Sequence, residues 1–479
     1  MSNEWLPNPL RTLSRRDVLR RACCGFGTLP LAWLAAQESG LAAPVSNSAG
    51  AVPHFAATAK SVIFLFMSGG PSHLETFDPK PLLNRLNGQV RPQEFGDAKY
   101  QFVNANSRLL GTQRKFRRYG ESGIEVSDLW PHVAGHIDDL AVVRSCYGDM
   151  VVHSAAQYEL FSGRIIPGFP SMGSWVAYGL GSESQSLPAY VVMPDPRGAQ
   201  EAGQPLYMNG FLPAAHQPMM LRPGAQPVLN LSNPSGVSPS ERSRTWQLIR
   251  ELNQAALEHE DSELEARIRS YDLAFRMQTE APQVFDLSRE SAQTLDAYGV
   301  GRSPTDDYGR RCLLARRLVE QGVRFVCVVS GGGSGSNQWD AHADIEGNHL
   351  ARAAETDQPI AALLGDLKQR GLLDTTLVVW GGEFGRSPES EGSRGRDHHN
   401  LGFTMWMSGG GIRGGQVVGA TDEIGLRAIE RPVHFRDLHA TMLERLGLDQ
   451  HRLTFPHLGR DERLTFIEGR PIRELTGRG

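Results

Sequence analysis

Short apolar runs recur along the chain, and each is closed by Gly, Ser or Pro. Runs of this length are typical of buried strands. They are Ser61–Met67, Leu140–Ser145, Ala189–Met193, Arg324–Ser330, Thr376–Trp380 and Phe403–Met407. Apolar residues at helical spacing predict helices between them, at Asp307–Gln321, Leu350–Arg370 and Phe435–Leu446. This alternation predicts a doubly wound α/β fold, in which helices cover both faces of a mostly parallel sheet.

One long segment departs from the alternation. The residues from Ser240 to Thr279 are charged and amphipathic, with no apolar run typical of a strand among them. The pattern predicts a helical insertion, at about residues 240–300, that packs on the sheet and turns its Glu and Arg residues to solvent.

The N-terminal segment resembles a twin-arginine export signal. The motif is Ser14-Arg15-Arg16-Asp17-Val18-Leu19, and an apolar stretch from Ala22 to Ala36 follows it. That stretch is short for a bilayer span. We expect residues 1–43 to be an export signal and residues 44–479 to form a single domain in the periplasm or another extracytoplasmic space. A retained N-terminal anchor helix is the alternative.

Charge and cysteine content narrow the class of protein. The 479 residues carry a formal net charge of −4, and no basic run exceeds a few residues. This balance argues against a nucleic-acid partner, whose binding would require phosphate neutralisation. Of five cysteines, Cys23 and Cys24 lie in the predicted signal, which leaves Cys146, Cys312 and Cys327. So few cysteines make no disulfide framework, and the fold must depend on its core.

Polar residues gather where the predicted strands end. In a parallel sheet the ligand-binding crevice lies outside the carboxyl ends of the strands. His73 and Asp78 follow the first strand, His153 and Ser154 the second, Asp340 and His342 the fourth and Glu383 the fifth, while Asp397, His398 and His399 precede the sixth. We expect this last group to lie in a loop that folds back across the same edge.

These residue types suit a divalent cation. Asp340 and His342 are two residues apart, so an extended chain can direct both side chains to one side. Carboxylate and imidazole together favour Zn²⁺, Mn²⁺ or a similar ion. The sequence therefore predicts one metal site at the sheet edge, with hydrophilic loops as the alternative. The glycines between Gly331 and Gly335 match no phosphate-binding loop, and we expect a flexible loop there.

Five motifs carry a family resemblance. In chain order they are FLFMSGGPSHLETFDPKP, FSGR, WDAH, GLLDTTLVVWGGEFGRSP and GRDHHN. Together they resemble the sulfatase-related family catalogued as domain of unknown function 1501, over nearly the whole mature chain. The chain is more distantly similar to the alkaline phosphatase superfamily. That resemblance implies a doubly wound sheet of alkaline phosphatase/sulfatase type that holds one or two metal ions. The identity of the metal stays open among Zn, Mn and Ca.

The comparison with sulfatases also shows departures. The segment from Gly371 to Gly385 is similar to the sulfatase phrase GLLDNTLVVFTSDHG, so the resemblance implies that Glu383 keeps a metal-binding carboxylate. Counting back from Ser162-Gly163-Arg164 places His153 where sulfatases have the cysteine that becomes formylglycine, which excludes that chemistry here. Three roles stay open for His153, which could be a metal ligand, a general acid or base, or a nucleophile.

Two further positions complete the comparison. The first strand ends in Ser68-Gly69-Gly70 where sulfatases have two aspartates. We expect His73 and Asp78 to replace those carboxylates, and the hydroxyls of Ser154 and Ser72 remain candidate nucleophiles.

The sequence thus predicts metal-assisted hydrolysis of a sulfate or phosphate ester, of a small molecule or a glycan. Arg386 and Arg396 would offset the charge of the anion. The alternative is a secreted metal-binding or scaffold protein that keeps the sulfatase fold without hydrolysis. The sequence indicates no oligomeric state.

Overall fold

A computed structural model describes residues 53–477, apart from 98–99, 104–105, 225, 229–230, 232–235, 257–267, 269–270, 279–280 and 334. The predicted export signal, residues 1–43, lies outside the described residues.

A nine-stranded sheet runs through the described part of the chain, and a two-stranded hairpin lies at its edge. Their strands are, in chain order, β1 (Ser61–Met67), β2 (Leu140–Tyr147), β3 (Tyr190–Met193), β4 (Met219–Met220), β5 (Phe325–Ser330), β6 (Thr376–Gly381), β7 (Gly385–Glu391), β8 (Gly395–His399), β9 (Phe403–Ser408), β10 (Gln416–Val418) and β11 (Val433–His434). The lateral order of the sheet is β10-β2-β9-β6-β1-β5-β3-β4, and β11 also pairs with β2. Strands β7 and β8 form the hairpin.

The sheet is mostly parallel. Strand β1 pairs in parallel with β5 on one side, where Val62 faces Phe325, and with β6 on the other, where Ser61 faces Thr376. Strand β9 is antiparallel to both of its neighbours, β2 and β6. Its amino end therefore lies at the same edge of the sheet as the carboxyl ends of β1, β5 and β6.

Helices cover both faces of the sheet. The longer helices are α1 (His153–Ser162), α2 (Met172–Leu180), α3 (Pro239–Ala256), α4 (Asp306–Glu320), α5 (Ile345–Gln369) and α6 (Phe435–Arg445). Alternate residues of β1 point to opposite faces. Ile63 and Leu65 pack in the core beneath α4 and α5, whereas Phe64 and Phe66 pack in the core beneath α1, α2 and α6.

The remaining elements are short. The short helices are His73–Thr76, Pro81–Arg85, Pro282–Phe285, Ala292–Ala297 and Arg473–Thr476. Three small hairpins pair Phe116–Tyr119 with Ile124–Ser127, Ala420–Thr421 with Ala428–Glu430, and Phe455–His457 with Arg460–Glu462.

The fold class predicted from the sequence is confirmed. All six predicted strands are present, with ends within two residues of the prediction. Two of the three predicted helices match to within one residue, and α5 begins five residues earlier than predicted, at Ile345. Asp344 explains the earlier start, because its side chain caps the helix by accepting from the Gly347 N–H.

Within the segment predicted as an insertion, the described residues include the 18-residue helix α3 and two short helices, Pro282–Phe285 and Ala292–Ala297. Val284 and Phe285 are buried in the core beneath α4.

Across the described residues, the helices are all too short or too polar to cross a membrane.

Candidate metal centre

Three imidazole rings and one carboxylate converge at the edge of the sheet. His153 begins helix α1, Asp340 and His342 follow strand β5, and His398 lies in strand β8. One ligand atom from each of these residues lies within 4.8 Å of the others. The Nε2 atoms of His342, His153 and His398 lie 2.9, 3.3 and 3.3 Å from Asp340 Oδ1. We call these four residues the His-Asp cluster.

The turn after β1 lets the Asp340 segment approach the sheet. Gly69 has a φ of +106°, and a Cβ there would lie 2.6 Å from the Asp340 nitrogen and 2.7 Å from the Trp339 nitrogen. Ser68 holds the same segment, because its carbonyl accepts from the Trp339 N–H at 2.9 Å. Glycine at position 69 is therefore needed both for the backbone conformation and for the close approach.

Every histidine of the cluster has a hydrogen-bond acceptor at Nδ1. Nδ1 of His153 lies 2.7 Å from Glu383 Oε1, Nδ1 of His342 contacts Glu391, and Nδ1 of His398 lies 3.0 Å from the Val151 carbonyl. An imidazole that donates from Nδ1 carries a lone pair on Nε2 when it is neutral. All three lone pairs then point into the cluster.

This arrangement fits a bound cation. The Nε2 atoms of His342 and His398 are 2.9 Å apart, and two lone pairs at that distance repel unless a proton or a cation lies between them. Histidines that bind a metal through one nitrogen commonly donate from the other to a carboxylate or a carbonyl. Three imidazoles and a carboxylate are also a ligand set that zinc and related ions accept in proteins.

The charges around the cluster also favour a bound cation. Three carboxylates, those of Asp340, Glu383 and Glu391, contact its histidines, and one guanidinium, that of Arg386, contacts Asp340. With the three histidines neutral, as they would be when bound to a cation, these four charged groups leave two negative charges. A divalent cation would neutralise them.

Electrostatics also set the ionisation of the individual groups. Burial opposes charge on Asp340, but Arg386 and the histidines outweigh it and hold the pKa of this carboxyl well below its usual range. Burial likewise opposes charge on His153, but Asp340 and Glu383 raise its pKa to about 9. Burial and the nearby Arg386 lower the pKa of His398 to about 4 despite Asp340.

Glu383 lies behind His153 and outside the cluster, which corrects its predicted position as a direct ligand. Its fully buried carboxylate accepts from His153 Nδ1, from the Gly69 N–H at 3.0 Å and from Gln157 Nε2 at 3.0 Å. Burial would raise the pKa of Glu383, but hydrogen bonds from His153 and Gln157 lower it overall. The carboxylate therefore orients the ring that faces the cluster.

The Asp397-His398-His399 group lies in strand β8 and not in the expected loop, and its members point in different directions. Successive residues of a strand face opposite sides. His398 reaches the cluster, whereas the His399 ring contacts the Leu426 carbonyl and burial lowers its pKa to about 3. Asp397 accepts three backbone N–H groups, from Phe102, Val103 and His398. His399 is therefore not placed to bind the cation, although Asp397 lies near His342 and Glu391.

His73 and Asp78 also lie elsewhere than predicted. His73 Nε2 lies 2.9 Å from the Gly425 carbonyl, and burial lowers the pKa of this histidine to about 3. Asp78 pairs with Lys80 at 2.9 Å and accepts from the Thr421 hydroxyl. Both side chains hold the loop near residues 421–425 against the sheet and do not replace the missing carboxylates of β1.

The two arginines predicted to bind the anion are buried structural residues. Arg386 is fully buried, donates to the carbonyls of Gly69 and Gly70 and lies 2.5 Å from Asp340 Oδ1. Arg396 is fully buried and pairs with Glu75 at 2.7 Å. Neither guanidinium faces solvent, and each is engaged by a carboxylate of the protein. Ser154, the other predicted catalytic residue, is half-buried in the first turn of α1.

Sequence reasoning missed three residues that support the cluster. Gln157 lies four residues after His153 on α1, a spacing that places both on one face of a helix and could have indicated it. Glu391 lies at the end of β7, where it contacts His342. Gln101, whose Oε1 lies 3.2 Å from His398 Nδ1, follows no pattern in the sequence.

A second acidic group is a poorer candidate for a cation. Asp149, Glu159 and His434 lie together, but His434 Nδ1 accepts from the Arg436 N–H at 3.2 Å as part of a helix cap. Its Nε2 therefore carries the proton and faces Glu159 at 3.1 Å. This histidine offers a donor, whereas the cluster offers lone pairs.

The fold and the site define a doubly wound α/β protein with a candidate metal centre at the carboxyl edge of its sheet. The chain belongs to the family described as protein of unknown function (DUF1501), whose model matches residues 59–476. The predicted family is thereby confirmed. A comparison with curated proteins gives no match.

Several solved structures are similar to this chain. The lipoteichoic acid synthase LtaP from Listeria monocytogenes has 10% identity and a TM-score of 0.34, over 83% of this chain and 74% of that one. The phosphonate monoester hydrolase SpPMH from Silicibacter pomeroyi has 14% identity and a TM-score of 0.34, over 73% and 72%. The PsFucS1 sulfatase from Pseudoalteromonas sp. has 13% identity and a TM-score of 0.34, over 82% and 68%.

Proposed function

We propose that the protein is an exported, metal-dependent hydrolase of sulfate or phosphate esters that works without formylglycine. The observation that carries this proposal is the convergence of three Nε2 atoms on Asp340, each ring being held through Nδ1 by an acceptor. His153, His342, His398 and Asp340 would hold the cation. A divalent cation in such a site polarises an ester oxygen and lowers the pKa of water.

His153 is better suited to hold the cation than to attack the substrate. Its Nδ1 is engaged by Glu383, and its Nε2 faces Asp340 at 3.3 Å. A nucleophilic imidazole would need a free nitrogen directed at the substrate. In this proposal the residue at the sulfatase nucleophile position has become a ligand, and water supplies the attacking oxygen.

The carboxylates behind the histidines strengthen the site. Glu383 and Glu391 each accept from an Nδ1, which increases the basicity of the opposite nitrogen. Arg386 fixes the Asp340 carboxylate through a contact of 2.5 Å. These partners set the direction of the ligand atoms before a cation arrives.

The rest of the proposal follows from the sequence. The twin-arginine-type motif supports export to the periplasm, and the resemblance to sulfatases supports an ester of a small molecule or a glycan as substrate. The slightly negative charge makes a nucleic-acid substrate a poor fit. We propose no stable membrane span after the signal is removed.

The first test is metal content. Purified, folded protein should contain a divalent metal by elemental analysis, and metal-free protein should gain melting temperature when Zn²⁺, Mn²⁺ or Ca²⁺ is added. A cation at 100 times its Kd stabilises the folded state by about 2.7 kcal/mol. The variants His342→Ala and His398→Ala should lose this gain, whereas His451→Ala, at an exposed histidine outside the cluster, should keep it. Absence of both the metal and the thermal shift in the wild type would refute the proposal.

The second test is hydrolysis. We expect the metal-loaded wild type to cleave 4-nitrophenyl sulfate, 4-nitrophenyl phosphate or bis(4-nitrophenyl) phosphate, and His153→Ala and His342→Ala to abolish the reaction. His451→Ala again serves as the control.

A non-catalytic metal-binding or scaffold protein is the second candidate. The burial of both Arg386 and Arg396 supports it, because neither of the two arginines predicted to bind the anion faces solvent. This candidate predicts the same metal content and thermal shift, with no hydrolysis of the sulfate or phosphate esters by the wild type or any variant.

A further inference from the structure

A short chain segment, residues 100–103, lies against the partly exposed His-Asp cluster. The side chains of His342 and Asp340 are 28% and 13% exposed, whereas those of His153 and His398 are 9% and 5% exposed. Phe102 lies beside His342, the most exposed of the four residues. Its ring centroid lies 5.3 Å from that of His342 and 5.9 Å from that of His398, both edge to face. Phe102 therefore packs against two of the cluster histidines.

Asp397 ties this segment to the cluster. Its Oδ2 accepts from the Phe102 N–H at 2.5 Å and from the Val103 N–H at 2.9 Å, and its Oδ1 accepts from the His398 N–H at 2.7 Å. A fully buried carboxylate thus joins the backbone of Phe102 to the backbone of one cluster histidine. This side chain thus helps to fix the backbone of Phe102 relative to His398.

Two neighbours add to the attachment. Gln101 Oε1 lies 3.2 Å from His398 Nδ1, and the Tyr100 hydroxyl donates to Glu389 in strand β7. With Asp397, these contacts hold residues 100 to 103 against both strands of the hairpin.

The Phe102 ring is nevertheless not buried. It is 52% exposed, and Val152, at the N-cap of α1, is 46% exposed. Val152 follows Val151, whose carbonyl lies 3.0 Å from His398 Nδ1. Leaving apolar surface in water costs about 25 cal/mol per Å². Binding sites commonly combine such apolar walls with a few convergent polar groups.

We propose that Phe102 is a specificity-determining residue, which packs against the organic group of an ester whose oxyanion lies at the His-Asp cluster. This inference rests on the proposed function. The side chain of Phe102 offers no hydrogen-bond donor or acceptor, so its contribution to binding is apolar and aromatic contact. The substrate class is therefore an ester with an aromatic or apolar group attached at the ester oxygen.

The test measures binding with two stable probes that differ in the organic group. Phenylphosphonate and methylphosphonate share the anion and are not cleaved as esters. We expect metal-loaded wild type to bind phenylphosphonate about 10-fold more tightly, a ratio that corresponds to ~1.4 kcal/mol of aromatic contact. Phe102→Ala should remove most of this preference, and Phe102→Tyr should keep it. Phe466→Ala, at a half-exposed phenylalanine elsewhere on the surface, should leave both affinities unchanged.

Several outcomes would overturn the inference. They are an unchanged ratio in Phe102→Ala, an equal loss of affinity for both probes, and failure of metal-loaded wild type to bind either probe. A preference for a sugar phosphate over phenylphosphonate would overturn it in favour of a glycan. Melting temperature and metal content of Phe102→Ala, measured in parallel, distinguish loss of contact from loss of fold.

Failure of this inference can be told from failure of the proposed function. If the wild type hydrolyses 4-nitrophenyl esters and Phe102→Ala leaves kcat/KM unchanged, the proposed function is supported and the proposed role of Phe102 is refuted. If the protein binds metal and prefers phenylphosphonate but hydrolyses no ester, the proposed role of Phe102 is supported and the proposed function is refuted.

Discussion

At the scale of single residues, the partner of each Nδ1 decides what a histidine can do. His342, His398 and His434 each lie beside a carboxylate. When neutral, the first two direct a lone pair into the cluster, whereas His434 directs an N–H at Glu159. The sequence shows where the histidines are but not which nitrogen is free, because that depends on acceptors that tertiary folding brings near. His153 and Glu383 are 230 residues apart in the chain.

Glu391 provides a test of this argument. Glu391→Gln keeps the size of the side chain but removes the charge that favours donation from His342 Nδ1. We expect the affinity for Zn²⁺ to fall by about 10- to 100-fold, the usual effect of losing such a partner. Titration of the metal-free protein against a competing chelator measures it. Glu468→Gln, at an exposed glutamate outside the cluster, should bind Zn²⁺ like the wild type. Equal affinity in Glu391→Gln would show that the carboxylate does not support the ligand.

His439 should make the stability depend on pH. It is buried, its Nε2 contacts the Leu160 carbonyl, and burial lowers its pKa from 6.5 to about 4. Between these values the unfolded chain binds more protons, so stability falls as pH is lowered from 6.5 towards 4. From pH 7 to pH 5 this group should cost about 2 kcal/mol of unfolding free energy.

Urea denaturation at pH 7 and pH 5 provides the measurement. His439→Gln cannot be protonated at this position. Between pH 7 and pH 5 it should therefore lose about 2 kcal/mol less unfolding free energy than the wild type. Identical losses in the two proteins would show that His439 is not buried in its neutral form.

At the scale of elements, the sequence predicted the strands around the site better than the side chains that form it. Strands β1 and β5 were predictable because both faces are covered, so each strand is a continuous apolar run. The short strands β4, β10 and β11 were not predicted, because two or three residues carry no periodicity. A position after a strand indicates the edge of the sheet but not the direction of a side chain. That is why Asp340, His342 and His398 meet, while His73 and His399 turn to backbone carbonyls.

The turn after β1 can be tested with a matched pair of glycines. Gly69 and Gly88 both have positive φ, +106° and +79°, but a Cβ at Gly88 meets nothing within 4 Å. Gly88→Ala should therefore cost only backbone strain, ~1 kcal/mol. Gly69→Ala adds a clash with the Trp339 and Asp340 backbone, so it should cost ~3 kcal/mol or more and displace Asp340. Thermal unfolding and Zn²⁺ affinity measure the two effects. Equal behaviour of the two variants would show that the close approach at Gly69 does not matter.

At the scale of the whole molecule, stability comes from the two cores on either side of the sheet. Within the described residues, Cys146, Cys312 and Cys327 are free and buried, and burial raises the pKa of each thiol. We expect the native protein not to react with a thiol reagent such as 5,5′-dithiobis(2-nitrobenzoic acid), and the melting temperature to be the same with and without reductant. Rapid modification of even one thiol in the native state would show that the cores open more readily than the structure implies.

The antiparallel strand β9 has a consequence for the order of assembly. Because β9 runs against its neighbours, strand β8, which precedes it and holds His398, lies at the edge where β5 ends before Asp340. Helix α1 adds His153 from far earlier in the chain. The ligands therefore come from three distant stretches of sequence. Contacts between residues so far apart in the chain are slow to form during folding. In the proposed metal centre, the four ligands would hold a cation only after these stretches have come together. Under the proposed twin-arginine export of the folded chain, the compartment that the chain leaves would then decide which metal is bound.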